Sequence, residues 1–214
     1  MIEITAWAQT LAQNLRARFA QRLLFLGYQG SYARGEATPQ SDIDIVAVLD
    51  VLTPADLDVY REEVRSMPSG ELACGFICGQ RQLMSWPRYD LLSVALDTKP
   101  VLGSLEPYLP QFTDADRREA LSIGAANLYH AACHTYLYGD RAGALLGLLK
   151  AAFFCLRLRV LCRDGVYLAT KAELSGALSG QDKELLGLML NVPCEQDAVD
   201  RAFGLLMEWS GGML

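Results

Sequence analysis

Asp42 and Asp44 are separated by one residue at the head of an apolar, β-branched run, Ile43-Asp44-Ile45-Val46-Ala47-Val48-Leu49. On a strand, side chains i and i+2 point to the same face, so two carboxylates converge on one point. Like charges held so close favour a neutralising divalent cation. Hard oxygen ligands of this kind suit Mg²⁺, which keeps waters and bridges to substrate phosphates. Upstream, Gly30-Ser31 follows a second apolar run, Leu23-Leu24-Phe25-Leu26. A glycine there lets backbone N–H groups and a hydroxyl approach a phosphate with no Cβ in the way. The two halves together make a site for a nucleoside triphosphate and its metal.

These residues must be placed by the elements around them. Residues 4–19 put Ile4, Trp7, Leu11, Leu15 and Phe19 on one helical stripe. Leu23–Gly27 and Asp44–Leu49 read as buried strands, with a glycine-punctuated loop, residues 30–41, between them. Thr53-Pro54-Ala55-Asp56 is a helix start for residues 54–66, and Pro68-Ser69-Gly70 is its stop. Two further strand-like runs are expected, Leu72–Cys78 and Tyr89–Leu96. Pro100, Gly103, Pro107 and Pro110 then break the chain and mark a boundary. After Phe112 the pattern is helical throughout, with helices expected near 114–138, 141–163, 171–178, 181–190 and 195–210. The organisation is therefore α+β, with domains 1–108 and 109–214.

The order strand, Gly-Ser, a loop with Arg-Gly, then Ser-Asp-Ile-Asp leading a second strand, resembles the nucleotidyltransferase superfamily of the DNA-polymerase-beta type. Gly30-Ser31-Tyr32-Ala33-Arg34-Gly35 and Ser41-Asp42-Ile43-Asp44 match the pattern of its small bacterial members, which include the aminoglycoside and lincosamide nucleotidyltransferases. The resemblance covers residues 20–105. The helical half looks like the companion, substrate-binding domain of kanamycin-nucleotidyltransferase-like proteins. It implies an N-terminal nucleotidyltransferase mixed sheet with flanking helices, followed by an α-helical bundle. By the same resemblance Gly30 and Ser31 bind the β- and γ-phosphates, and Asp42 and Asp44 hold two Mg²⁺ ions for in-line displacement.

Other residues follow more loosely. Arg34 either adds a charge-assisted contact to the triphosphate or is a solvated loop arginine. Ser41 is a nucleotide-side candidate that also shapes the turn with Thr38. Lys150, set in Leu148-Leu149-Lys150-Ala151-Ala152, faces the cleft or snorkels to the surface. Lys171, after Thr170, is a phosphate contact or an ordinary helix start. Arg157 and Arg159 extend the polar side of their helix. The family's third carboxylate comes from a following strand, but Ala73-Cys74-Gly75-Phe76-Ile77-Cys78 carries no acid. Glu71, at that strand's start, and Asp90, at the start of the next, are the candidates for third ligand or general base, with an acid from the bundle as a further option.

Composition sets bounds on function. The 214 residues are 51% hydrophobic and 21% charged, which excludes an intrinsically disordered chain. Lys plus Arg is 19 and Asp plus Glu is 25, a formal charge of −6, which disfavours nucleic acid as a partner. The N-terminus has no basic region before an apolar run, so a cytoplasmic location is expected. Lys150, Arg157 and Arg159 interrupt the greasiest stretch, residues 142–162, so it reads as a buried helix and no membrane is expected. The six cysteines contain no C-x-x-C pair and read as small buried hydrophobes. His130 and His134 lack an arginine four to six positions upstream, which disfavours the RNase chemistry of some companion domains.

The expected activity is Mg²⁺-dependent transfer of a nucleoside monophosphate, AMP from ATP ahead of other nucleotides, to an acceptor hydroxyl. A small aminoglycoside-like molecule leads as acceptor, and the sequence allows a homodimer. The alternatives are a protein or RNA acceptor, or a catalytically degenerate nucleotide-binding, antitoxin-like module.

Overall fold

The computed structural model describes residues 2–214. The chain divides into two compact units, the first ending at Gln111 and the second running Phe112–Leu214. In the first, α1 (Ile4–Phe19), β1 (Leu23–Tyr28), α2 (Gly30–Arg34), β2 (Ile43–Leu49), α3 (Pro54–Ser66), β3 (Ala73–Gly79), α4 (Gln80–Ser85), α5 (Arg88–Asp97) and β4 (Lys99–Leu102) follow in chain order. The strands form one mixed sheet in the order β3-β2-β1-β4. β1 runs antiparallel to β2 and β4, and β2 runs parallel to β3.

Alternation along β2 puts its core residues and Asp44 on opposite faces. Ile43, Ile45, Ala47 and Leu49 pack with Leu26 against Leu11, Leu15 and Phe19 of α1 and Val64 of α3. Asp44 therefore lies on the other face, which its even-numbered neighbours Val46 and Val48 continue. Each buried leucine of this core contributes roughly 1.5–3 kcal/mol. Polar ties fix the backing helices. Trp7 Nε1 donates to Pro68 O at 2.7 Å, and Arg22 grips both Asp56 oxygens at 2.9 Å. Thr53 and Asp56 form the reciprocal capping box that starts α3.

Three local expectations are corrected. The stretch Tyr89–Leu96 is not a strand but most of helix α5, whose buried Leu91, Leu92 and Val94 follow helical spacing. The segment 30–41 is not wholly a loop, since Gly30–Arg34 winds into one helical turn ended by Gly35. Residues 99–102, read as broken chain, form the edge strand β4. Pro100 is tolerated there because an edge strand leaves one side of its backbone unpaired.

The second unit consists of α6 (Asp114–Tyr138), α7 (Arg141–Asp164), α8 (Lys171–Ala177), α9 (Gly180–Leu190) and α10 (Gln196–Gly211). Thr113 with Asp116 caps α6, Asp140 caps α7, and Thr170 with Glu173 caps α8. Leu128, Leu145, Leu149, Leu156, Phe203 and Leu206 meet in its core. One reading is overturned here: Arg157 is not on a polar face but only 1% exposed, its guanidinium 4.9 Å from the Phe153 ring centroid, 4.6 Å from Phe154 and 5.3 Å from Tyr167. Arg159 does reach the surface, pairing with Asp182 at 3.3 Å. Among the described residues, no helix is long and apolar enough to cross a membrane.

Candidate active site

β1 ends at Tyr28, Gln29 is extended, and the chain turns into α2 at Gly30 with φ +68°. The Gln29 N–H donates to Asp44 O at 2.8 Å, which locks the turn to β2. The Gln29 side chain donates to Thr98 Oγ1 at 2.7 Å, and Thr98 in turn donates to Val94 O. Gly30 is required twice over. Its backbone lies in the left-handed region, and a Cβ placed on it would overlap Asp44 Oδ2. The Gly30 turn and the half-buried carboxylate of Asp44 are thus in contact, with exposed Asp42 one residue before the strand. The first-turn N–H groups of a helix such as α2 have no intrahelical acceptor.

Parallel register places Cys74 of β3 opposite Asp44 of β2. Its thiol, partly covered on a residue that is exposed overall, donates to Asp44 Oδ1 at 3.4 Å. Burial of the sulfur, then the neighbouring Asp44 and Asp42 charges, push the thiol up to about 11, so it is neutral at physiological pH. Cys74 also lines a cavity of about 190 Å³ with Tyr60, Gly75 and Phe76. The sequence pattern, which lacks an acid on β3, does not mark this residue. The available signal was parity: position 74 is the one on β3 that pairs with 44.

The remaining candidates are dispersed. Glu71 is exposed on a single 3₁₀ turn, Gly70–Leu72, before β3 begins, and lines a depression with Tyr60, Arg61 and Arg65 of α3. Asp90 lies in the first turn of α5, not on a strand, and accepts from Trp86 Nε1 at 3.2 Å. Neither is brought beside the aspartate pair by the sheet. Arg34 is largely buried and pairs with Glu36 at 3.1 Å. Ser41 Oγ accepts from the Thr38 N–H at 2.9 Å, an arrangement that shapes the turn before β2.

In the second unit Lys150 is exposed on α7 and Lys171 is the first residue of α8. His130 and His134 have ring centroids 6.2 Å apart on α6. Among the described residues no cluster of three or more His, Cys, Asp or Glu is arranged to hold a metal ion. The chemistry of the donor set nevertheless fits a divalent cation whose shell is completed from outside the protein. The Asp42 and Asp44 carboxylates are hard oxygen donors, and the missing side chain at Gly30 makes room for the Asp44 carboxylate.

Residues 11–106 match the nucleotidyltransferase domain family. That span takes in β1, the Gly30-Ser31 turn, both aspartates and β3. The first unit is a nucleotidyltransferase domain. The match supports a transferase enzyme. The fold of spectinomycin adenyltransferase AAD(9) from Enterococcus faecialis, solved with ATP and spectinomycin, aligns with 96% of this chain and 98% of that one, at TM-score 0.63 and 16% identity. The likeness is one of fold, and it extends beyond the nucleotidyltransferase domain into the helical unit. A toxin-antitoxin structure with AMP-PNP aligns over 54% of this chain and 85% of that one at TM-score 0.35 and 17% identity, too low to bear on function. No curated protein is a significant match.

Proposed function

We propose that the protein transfers a nucleoside monophosphate, AMP from ATP, to a hydroxyl of a small acceptor, with Mg²⁺ as the required ion. The observation that carries this reading is the contact between Gly30 and Asp44, which joins a phosphate-side turn to a carboxylate pair within a nucleotidyltransferase domain. The spectinomycin adenyltransferase neighbour supports ATP as the first donor to test and an aminoglycoside-like molecule as the first acceptor class.

Asp42 and Asp44 would hold the metal through their carboxylate oxygens, while Gly30 and Ser31 hold the β- and γ-phosphates through the turn. When bound, Mg²⁺ offsets negative charge on the α-phosphate and on the departing pyrophosphate. Asp44, fixed on one side by Gly30 and on the other by Cys74, keeps its oxygens in place without reorganisation during transfer. Bond formation joins the acceptor oxygen to the α-phosphorus, and the bond to the bridging oxygen of pyrophosphate breaks. The acceptor proton goes to a carboxylate outside β3, since β3 carries no acid, with Glu71, Asp90 or an acid of the helical unit as candidates. The helical unit, residues 112–214, is assigned acceptor binding, with Lys150 and Lys171 as cationic candidates. Arg34, already paired with Glu36, is given a supporting role.

The test is transfer of label from α-labelled ATP to a panel of aminoglycoside-like acceptors, proteins and RNA. Labelling of small molecules, lost without Mg²⁺, supports the proposal; labelling of macromolecules alone overturns the acceptor class. Nucleotide binding with no transfer to any acceptor would indicate a binding module instead.

A further inference from the structure

The chain contains two histidines in 214 residues, and they stand one helical turn apart. His130 and His134 lie on α6, where positions i and i+4 share a face. The opposite face is held by the core. Leu128 and Ala132 are buried in one cluster with Leu145, Leu149 and Phe203, so the backbone that carries the pair is fixed. Both histidines are exposed, with ring centroids 6.2 Å apart and ring planes 42° from parallel. One turn further on, the Tyr138 ring packs edge-on against His134 at 5.3 Å between centroids. Neither imidazole is assigned a part in nucleotidyl transfer.

Imidazole nitrogen is a donor that suits Zn²⁺, Ni²⁺ and Cu²⁺, whereas Mg²⁺ is matched to carboxylate oxygens. A nitrogen–metal bond of about 2.0–2.1 Å puts each ring centroid roughly 3.2 Å from a shared ion, and so roughly 4.5–5.3 Å from the other centroid for right-angled to tetrahedral bonding. The observed separation exceeds that by about 1 Å, a closure within reach of side-chain rotation by two exposed residues. Cys133 is half-buried and lies about 100° round the helix from His134, away from the shared face. Among the described residues no third His, Cys, Asp or Glu is grouped with the pair to hold a metal. A four-coordinate ion held by two imidazoles therefore keeps two positions for water or another ligand.

We infer that His130 and His134 form a bidentate chelating site for a divalent cation of the Zn²⁺, Ni²⁺ and Cu²⁺ class, separate in its donor chemistry from the aspartate pair. The ion bridges successive turns of α6 and stays exchangeable, because two protein donors leave its shell open. Binding stabilises the folded chain by mass action, since the unfolded chain does not hold the two rings together.

The experiment titrates the untagged full chain with Zn²⁺ in the presence of excess Mg²⁺ and follows the imidazole signals by nuclear magnetic resonance. With two histidines in the chain, every such signal comes from this pair. Both rings are expected to shift together and saturate at one ion per chain, and the melting temperature is expected to rise with Zn²⁺. His130→Gln and His134→Gln are each expected to weaken Zn²⁺ binding at the remaining ring at least about tenfold, because the second donor no longer acts intramolecularly. Circular dichroism checks that both variants keep the wild-type fold. Cys133→Ser and Asp42→Ala/Asp44→Ala should leave the response of the rings unchanged.

Rings that stay unmoved by Zn²⁺, or that respond equally to Mg²⁺ alone, overturn the inference. So does a response confined to one ring, or a folded single-histidine variant that keeps wild-type affinity, since either means that the two side chains do not chelate together. Loss of the ring response in folded Cys133→Ser would assign the ion to the thiol and overturn the pair as its site.

Discussion

Asp44 Oδ2 occupies the space in which a side chain on residue 30 would begin, so the glycine that opens the turn after β1 and the second aspartate of the pair are structurally one feature. A change at either displaces the other. The sequence separates them by fourteen positions, but the Gln29 N–H bonded to Asp44 O closes that gap in the fold.

Gly30→Ala should therefore do two things at once. The left-handed backbone costs an alanine about 1–3 kcal/mol of stability, and the new methyl group pushes Asp44 out of place. Melting temperature should fall and Mg²⁺-dependent nucleotide binding should be lost. Gly35→Ala provides the contrast. It has the same sign of φ but nothing within 4 Å of its Cβ, so stability should drop by about 1 kcal/mol with nucleotide binding intact.

The acid limb of stability should depend on Asp56. Hydrogen bonds from Arg22, then from Thr53, hold its carboxyl well below the usual carboxylate range. A lowered folded value means the stabilisation is present above the unfolded value near pH 3.9 and is lost as the pH falls below it. Asp56→Asn should flatten the loss of stability between about pH 4 and pH 2. Circular dichroism melts across that range provide the measurement.

The alkaline limb runs the other way. Burial raises the Cys155 thiol to about 12 and the Cys78 thiol to about 11. Groups raised on folding stabilise fully below their unfolded value, near pH 8.5, and lose that contribution as the pH climbs towards the folded value. Stability should decline between about pH 9 and pH 11, and Cys155→Ala should make the decline shallower while lowering stability at neutral pH.

Within the helical unit, Trp209 Nε1 donates to Asp182 at 2.6 Å in a buried setting, and Arg159 pairs with the same carboxylate. Asp182→Ala leaves the indole N–H buried without its acceptor. The expected cost is about 1–3 kcal/mol, read as a lower melting temperature of that unit by tryptophan fluorescence.

The helix starts were legible because capping is local chemistry. Thr53 with Asp56 and Thr113 with Asp116 state their boundaries within four residues. The strand–Gly-Ser–Asp-x-Asp order was legible for the same reason. What could not be read depends on tertiary context. Leu91-Leu92-Ser93-Val94 suits a short buried strand or one face of a helix, and only packing decides between them. Pro100 looks like a breaker until the strand it belongs to is known to lie at an edge. Cys74 was missed because its significance comes from register with β2, which no local pattern encodes.

Asp42 and Asp44 are assigned a joint nucleotide and metal site. Its most direct test is calorimetric titration with a non-hydrolysable ATP analogue, with and without Mg²⁺, of the wild type and of the Asp42→Ala/Asp44→Ala variant. Mg²⁺-dependent binding is expected in the wild type and is expected to disappear in the variant while the variant's melting profile stays cooperative. Binding of equal strength in the folded variant, or none in the wild type with Mg²⁺ present, would contradict it.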